Sequence, residues 1–279
     1  MARESVDFLG LKPGGTYVDC TLGAGGHTEA IKTRCPDCRV IGIDQDYEII
    51  VEARTRLERF QGIEIINDNF KNLKDLIKEP VDGILFDLGV SSWQIDEPGR
   101  GFSLQKDGPL DMRMDRSQQM TAEAILKSAS EQELGRIFRE YGEERFSRRV
   151  ARAVLRARDK GGIKTTFQLK EIVEKAIPIW KKRESATRIF QALRIAVNQE
   201  LKNLETALEG SIGLLKPGGR IVVMSYHSLE DRIVKHALRK AKQEGKLEIL
   251  TKKPLQPTEQ EVASNPRAKS AKLRAAQRT

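Results

Sequence analysis

Nine residues near the start, Asp19-Cys20-Thr21-Leu22-Gly23-Ala24-Gly25-Gly26-His27, constrain this chain more than any other stretch. They follow a short apolar run, and a second apolar run over residues 40–44 closes on Asp44. Glycines let the backbone bend tightly and let a ligand approach it where a strand gives way to a helix. An acid closing the next strand suits a ribose diol. Together they direct the chain to an α/β fold with a ligand at the strand ends.

Two nucleotide signatures compete for this loop. A nicotinamide site needs a third glycine in G-x-G-x-x-G, so that amides at a helix start face pyrophosphate. The residue after His27 is Thr28, so that glycine is missing. Asp19, four residues before Gly23, would repel a pyrophosphate and attract a cation. S-adenosylmethionine carries an ammonium and a sulfonium, and it is the cofactor the pattern predicts.

Charge divides the 279 residues. Residues 1–115 carry 14 Lys/Arg against 21 Asp/Glu, residues 116–200 carry 19 against 11, and residues 232–279 carry 13 against 4. An acidic cofactor segment beside two basic ones is the footprint of a polyanion partner, RNA or DNA. No apolar run approaches the ~20 residues of a membrane span. Three cysteines suggest a reducing compartment, with the cytoplasm as the expected location. The pair Cys35-x-x-Cys38 lacks the second ligand pair that zinc needs, so structural thiols and no metal are expected. Monomer and homodimer both remain open.

A βα alternation runs through the first ninety residues. Strands are expected at 17–19, 39–44, 63–66 and 84–87, with helices at 27–34, 47–60 and 73–77, so a parallel sheet with right-handed crossovers follows. Residues 91–115, rich in Gly, Pro and charge, predict a long loop with a functional reason. Residues 121–180 read as helices, one of them opening at Ser130 with Glu133 at capping-box spacing. The α/β pattern resumes with a helix over 191–214, a strand at 220–225 and a helix at 230–243. The domains are therefore expected at 1–115 and 190–279 for a discontinuous Rossmann-like core, with 116–189 as an inserted all-helical domain for RNA or substrate. The tail after Thr251 reads as a mobile basic arm, a strip docked near an anion, or a disordered and solvated segment.

Seven strings in order raise the specificity of this reading. They are Gly25-Gly26-His27, Asp87-Leu88-Gly89-Val90-Ser91-Ser92 with Gln94, Arg100-Gly101-Phe102-Ser103, Pro109-Leu110-Asp111-Met112-Arg113-Met114-Asp115, Phe190-Gln191-Ala192-Leu193-Arg194-Ile195, Ser228-Leu229-Glu230-Asp231-Arg232 and Asn265-Pro266-Arg267-Ala268. Over essentially the whole chain they resemble the bacterial 16S ribosomal RNA cytosine-N4 methyltransferase family, MraW. The resemblance implies a class I S-adenosylmethionine-dependent methyltransferase, a cytidine of 16S rRNA in the small ribosomal subunit as target, and the inserted helices. Methylation of another nucleic acid or of protein, or a non-catalytic ribosome-assembly role, are the alternatives. The family's His-x-Pro-Val opening has no match here, which predicts a truncated or wrongly assigned start.

For the cofactor the candidates are Gly23, Gly25, Gly26, His27, Asp44, Phe70, Asp87 and Gln94, with Phe70 placed by the resemblance near the adenine. Asp87, Asp111 and His227 are the candidates for chemistry on the amine. Asp87-Leu88-Gly89-Val90 stands where many amino-methyltransferases carry Asp/Asn-Pro-Pro-Tyr/Phe, so their base-gripping mechanism does not transfer unchanged. Phosphate contacts are expected from Arg145, Arg149, Arg152 and Arg156, from Lys181, Lys182 and Arg183, and from Lys269, Lys272 and Arg274 of the tail.

Overall fold

The computed structural model describes residues 1–279, which form two compact units, 1–89 with 201–279, and 90–200. In chain order the first unit starts with α1 (Ala2–Leu9), β1 (Thr16–Asp19), α2 (Gly26–Arg34), β2 (Arg39–Asp44), α3 (Tyr47–Leu57), β3 (Ile63–Asn67), α4 (Leu73–Leu76) and β4 (Val81–Asp87). The second unit contributes α5 (Ser92–Asp96), α6 (Ala122–Ser128), α7 (Glu131–Glu140), α8 (Ser147–Arg158), α9 (Thr166–Ala176) and α10 (Lys182–Asn198). The chain then returns through α11 (Glu200–Leu214), β5 (Leu215–Ser225), α12 (Ser228–Gln243), β6 (Leu247–Ile249), α13 (Glu259–Ser264) and β7 (Lys272–Arg278).

The seven strands form one sheet in the order β3-β2-β1-β4-β5-β7-β6. β1 to β5 pair in parallel, and β7 runs antiparallel between β5 and β6. The order reverses between β1 and β4, and in an open α/β sheet ligands bind at the carboxyl ends of the strands beside such a reversal. Asp19, Asp44 and Asp87 are the last residues of β1, β2 and β4. Ile, Val and Leu runs make these strands apolar on both faces, as a doubly covered sheet requires; Val18, Ile43, Ile84, Phe86 and Val223 are buried.

The unit boundaries differ from those expected at 115/116 and 189/190. Residues 91–115 belong with the helices because they bond to them. Leu110 N–H donates to Lys164 O, Thr166 N–H to Gly108 O, and Met114 N–H to the Asn198 side chain. Nor is this stretch structureless. Arg100 is fully buried and donates to the carbonyls of Arg113 and Met114. A Cβ on Gly101 would lie 2.1 Å from Pro109 O, and one on Gly108 1.9 Å from Pro98 O. The helical unit has its own core, including Leu134, Phe138, Val150, Val154, Leu169 and Leu193.

Two further expectations change. The end of the tail is not a mobile arm: Leu273, Ala275 and Ala276 are buried in β7. Cys35 and Cys38 are joined in a disulfide rather than standing as free thiols. The turn through Pro36 and Asp37 after α2 brings their Cα atoms to 5.4 Å, within disulfide reach. No helix is long and apolar enough to cross a membrane.

Candidate active site

The loop after β1 is built around two left-handed glycines. Gly23 has φ 51° and Gly25, which caps α2, has φ 84°. A side chain on Gly25 would also press on Leu57 at 2.9 Å, whereas Gly26 faces open space apart from the tip of Arg56. The loop is tied down by the acid that closes β1: Asp19, fully buried, accepts from Thr21 N–H at 3.2 Å and from the Thr28 hydroxyl at 2.9 Å. It is tied to β2 as well, because Gly23 N–H donates to Asp44 Oδ2 at 2.8 Å and Asp46 N–H to Asp44 Oδ1 at 2.9 Å. Each of those oxygens keeps a further lone pair for a ligand hydroxyl.

Burial pushes the Asp44 carboxyl up to about 6, against the pull of the Asp46 and Gly23 amides. It also raises Asp19 and Asp87, in both cases against the attraction of His27. Three strand-end acids thus share one low-dielectric corner, and each binds its proton more tightly than in water. Such a corner favours a cationic guest.

At the end of β4, Asp87 Oδ1 accepts from the Tyr226 hydroxyl at 2.7 Å, and Asp87 Oδ2 lies 3.6 Å from His27 Nδ1. The opposite imidazole nitrogen, Nε2 of His27, is buried with no partner. Tyr226 follows directly on β5 and is the residue that sequence reasoning missed. The available signal was an aromatic at a strand end, between Ser225 and His227. Burial and the Asp87 charge push the Tyr226 phenol well above its ordinary range, so it stays a donor.

The structure brings together Gly23, Gly25, Gly26, His27, Asp44 and Asp87. Phe70 lies past the end of β3, half-buried, its ring edge-on to Phe86 at 5.7 Å. His227 serves as the N-cap of α12: its ring accepts from Glu230 N–H at 3.4 Å, while Glu230 accepts from the amides of Tyr226 and His227. That occupation holds the chain behind Tyr226, and it differs from the chemistry on the amine expected of His227. Gln94 and Asp111 belong to the helical unit. Gln94 is buried as the third residue of α5 and forms a capping box with Ser91. Asp111 is clamped by Arg113, Nε to Oδ1 at 2.6 Å and Nη2 to Oδ2 at 2.8 Å. Although burial pushes it up, the Arg113 bonds outweigh this and hold its carboxyl below the usual range. An acid so engaged orders its loop.

In the helical unit, α8 begins at Ser147, so Arg145 precedes it instead of opening it. Val150, Ala151 and Val154 face the core, leaving Arg149, Arg152 and Arg156 exposed. Glu140 pairs with Arg136, and Arg152 itself lies 3.7 Å from Glu131. Trp180, 79% exposed, stands beside Lys181, Lys182 and Arg183. In the tail, Arg274 and Lys272 pair with Asp231 at 2.7 and 3.5 Å, while Lys269 is exposed.

The MraW methylase family model matches residues 1–279. A ribosomal RNA small subunit methyltransferase H from Halothermothrix orenii is 47% identical over all of this chain and 97% of its own length. Its namesake from Carboxydothermus hydrogenoformans is 46% identical over all of this chain and 96% of its own. Among solved structures, a candidate rRNA-methylase from Clostridium thermocellum superimposes with a TM-score of 0.51 at 15% identity, covering 99% of this chain and 96% of that one. That likeness speaks for the fold, and the full-length sequence matches speak for descent: the chain belongs to the MraW methylase family.

Proposed function

We propose that this protein transfers a methyl group from S-adenosylmethionine to the exocyclic N4 amine of a cytidine in 16S rRNA of the small ribosomal subunit, in the cytoplasm. The observation that carries the reading is the corner of three acids, Asp19, Asp44 and Asp87, around a glycine loop with open room at Gly26. Its donor set fits the cofactor: acids for a ribose diol and cationic groups, and an imidazole nitrogen on His27 with no partner. The relatives named above, nearly half identical over their whole length, supply the substrate class.

When bound, the cofactor supplies a methyl group already activated by its sulfonium, so the protein's work is alignment. Asp44 takes the diol. Gly23, Gly25 and Gly26 let the cofactor approach the backbone, with His27 and Phe70 as further contacts. Asp87 accepts a hydrogen bond from the target amine at Oδ2, favouring the rotamer whose lone pair faces the methyl. Tyr226 holds Oδ1 of the same group, and His227 positions Tyr226 through the α12 cap. The target base leaves its stack to reach Asp87. RNA phosphates are held by Arg145, Arg149, Arg152, Arg156, Lys181, Lys182 and Arg183, with Trp180 as a stacking face.

Mass spectrometry of 16S rRNA from cells lacking the protein should show the loss of one N4-methylcytidine mark, restored by the wild-type gene. An unchanged modification map refutes the assignment. Asp44→Ala should weaken cofactor binding by about 1.5–3 kcal/mol in calorimetry. Arg149→Glu with Arg152→Glu should flatten the salt dependence of rRNA binding while leaving cofactor affinity unchanged.

A further inference from the structure

One concavity of the first unit lies apart from the strand-end corner. A cleft of about 220 Å³ is lined by Lys235 and Arg239 of α12, by Lys252 and Lys253 after β6, and by Arg274 of β7, over an apolar floor at Leu238. Lys235 and Arg239 are four residues apart, so both look out from one face of the helix. Arg274 is neutralised by Asp231 at 2.7 Å. The other four cations have no acidic partner. Like charges gathered around one hollow repel one another, and an anion placed among them relieves that repulsion. No aromatic ring lines the cleft, so it offers nothing for a nucleobase to stack on. It recognises phosphate and not nucleoside.

Its place along α12 relates it to the strand-end corner. Lys235 lies seven residues into the helix from Ser228, about 10 Å at ~1.5 Å per residue. The same helix begins beside Tyr226, which holds Asp87. The cleft is displaced from Asp87 both along α12 and across the sheet, on the side of β7 and β6.

We propose that this cleft is a phosphodiester-binding site that grips the RNA substrate away from the target base, so that the first unit holds RNA through its own residues. The proposal rests on the RNA reading above and adds a site to it. It also gives an occupation to part of the basic charge of residues 232–279.

The test compares two full-length variants of equal charge. Lys252→Glu with Lys253→Glu alters the cleft, and Lys240→Glu with Lys242→Glu alters exposed positions of α12 outside it. Filter binding of a 16S rRNA decoding-region fragment is measured across a salt series, with cofactor affinity and the melting curve as controls for folding. The cleft variant should bind roughly tenfold more weakly near 0.1 M salt, its salt slope falling by about 1.4 for two lost single-strand contacts. The control variant should stay within about threefold of the parent. Equal losses in both variants, or parental affinity and slope in the cleft variant, overturn the proposal. Pyrophosphate followed by 31P NMR distinguishes a small ligand: binding lost in the cleft variant with RNA affinity intact overturns the RNA site. If the parent binds no rRNA, the underlying reading fails as well. If reversal at Arg149 and Arg152 weakens RNA and reversal in the cleft does not, the cleft alone fails.

Discussion

The glycine loop of the first unit and residues 91–115 of the second are both rich in glycine and acid, yet they use them in opposite ways. In the first, Gly26 borders open space and Asp19, Asp44 and Asp87 hold their protons more tightly than free carboxyls. In the second, Gly101 and Gly108 are glycine because a carbonyl occupies the room of a side chain, and Asp107 and Asp111 sit below their ordinary range. One region keeps its polar capacity for something that arrives; the other has satisfied it internally. Glycine and aspartate count the same in both, and only the neighbours tell a site from a scaffold.

The largest effect should separate the two kinds of glycine. Gly101→Ala forces a Cβ onto Pro109 O at a φ of +76° and should destabilise the protein by about 4 kcal/mol, visible in urea melts. Gly26→Ala should leave the melt unchanged and weaken cofactor binding. A stable Gly101→Ala protein would erase the contrast.

Asp111→Ala comes next. It leaves Arg113 half-buried without its clamp and should cost about 2 kcal/mol of stability, less than a fully buried pair because both groups retain some solvent. Turnover per folded molecule should remain within a few fold. A large fall in kcat at unchanged stability would keep Asp111 in the catalytic set.

The pH dependence at Asp44 is smaller and has two opposite signs. Its folded-state carboxyl at about 6 lies above the usual value near 3.8, so the free native protein binds the proton more tightly than the unfolded chain. Free-protein stability should therefore rise as pH falls from 7 towards 4 through this group. Cofactor binding needs the carboxylate and should weaken below pH 6, by at most tenfold (about 1.4 kcal/mol) per unit. Calorimetry and melting curves over that window check both signs, and Asp44→Asn should flatten both.

Tyr226→Phe is the mildest change. It removes the hydrogen bond that lowers the Asp87 pKa, so the acid limb of the kcat/KM profile should move to higher pH. The loss in rate should be roughly fivefold to tenfold, about 1 kcal/mol. A packing role alone would lower the rate without moving the limb.

What the sequence revealed and withheld follows from the range of the interactions. The strands ending at Asp19, Asp44 and Asp87 were legible because apolar runs, glycines and a closing acid are local signals. The box of Ser130 and Glu133 was legible for the same reason, and the box of Ser91 and Gln94 obeys the same rule, although Gln94 drew notice only as a cofactor candidate. Tyr226 escaped because its meaning depends on a partner 139 positions away. β7 escaped because Leu273, Ala275 and Ala276 look unremarkable until β5 and β6 flank them. The clamp of Arg113 on Asp111 spans two residues, but it needs a loop geometry that no periodicity announces.

The place of β7 has a consequence for synthesis. It is made after β5 and β6 but lies between them, so those two strands never pair, and β6 and the outer edge of β5 stay unpaired until residues 272–278 have been translated. Until then β5 presents an open edge of backbone donors and acceptors beside Ile221, Val222 and Val223. Completion of the sheet is therefore deferred until β7 has been made. A nascent chain halted before Lys272 carries a sticky flank, the kind of surface on which chaperones and aggregation compete.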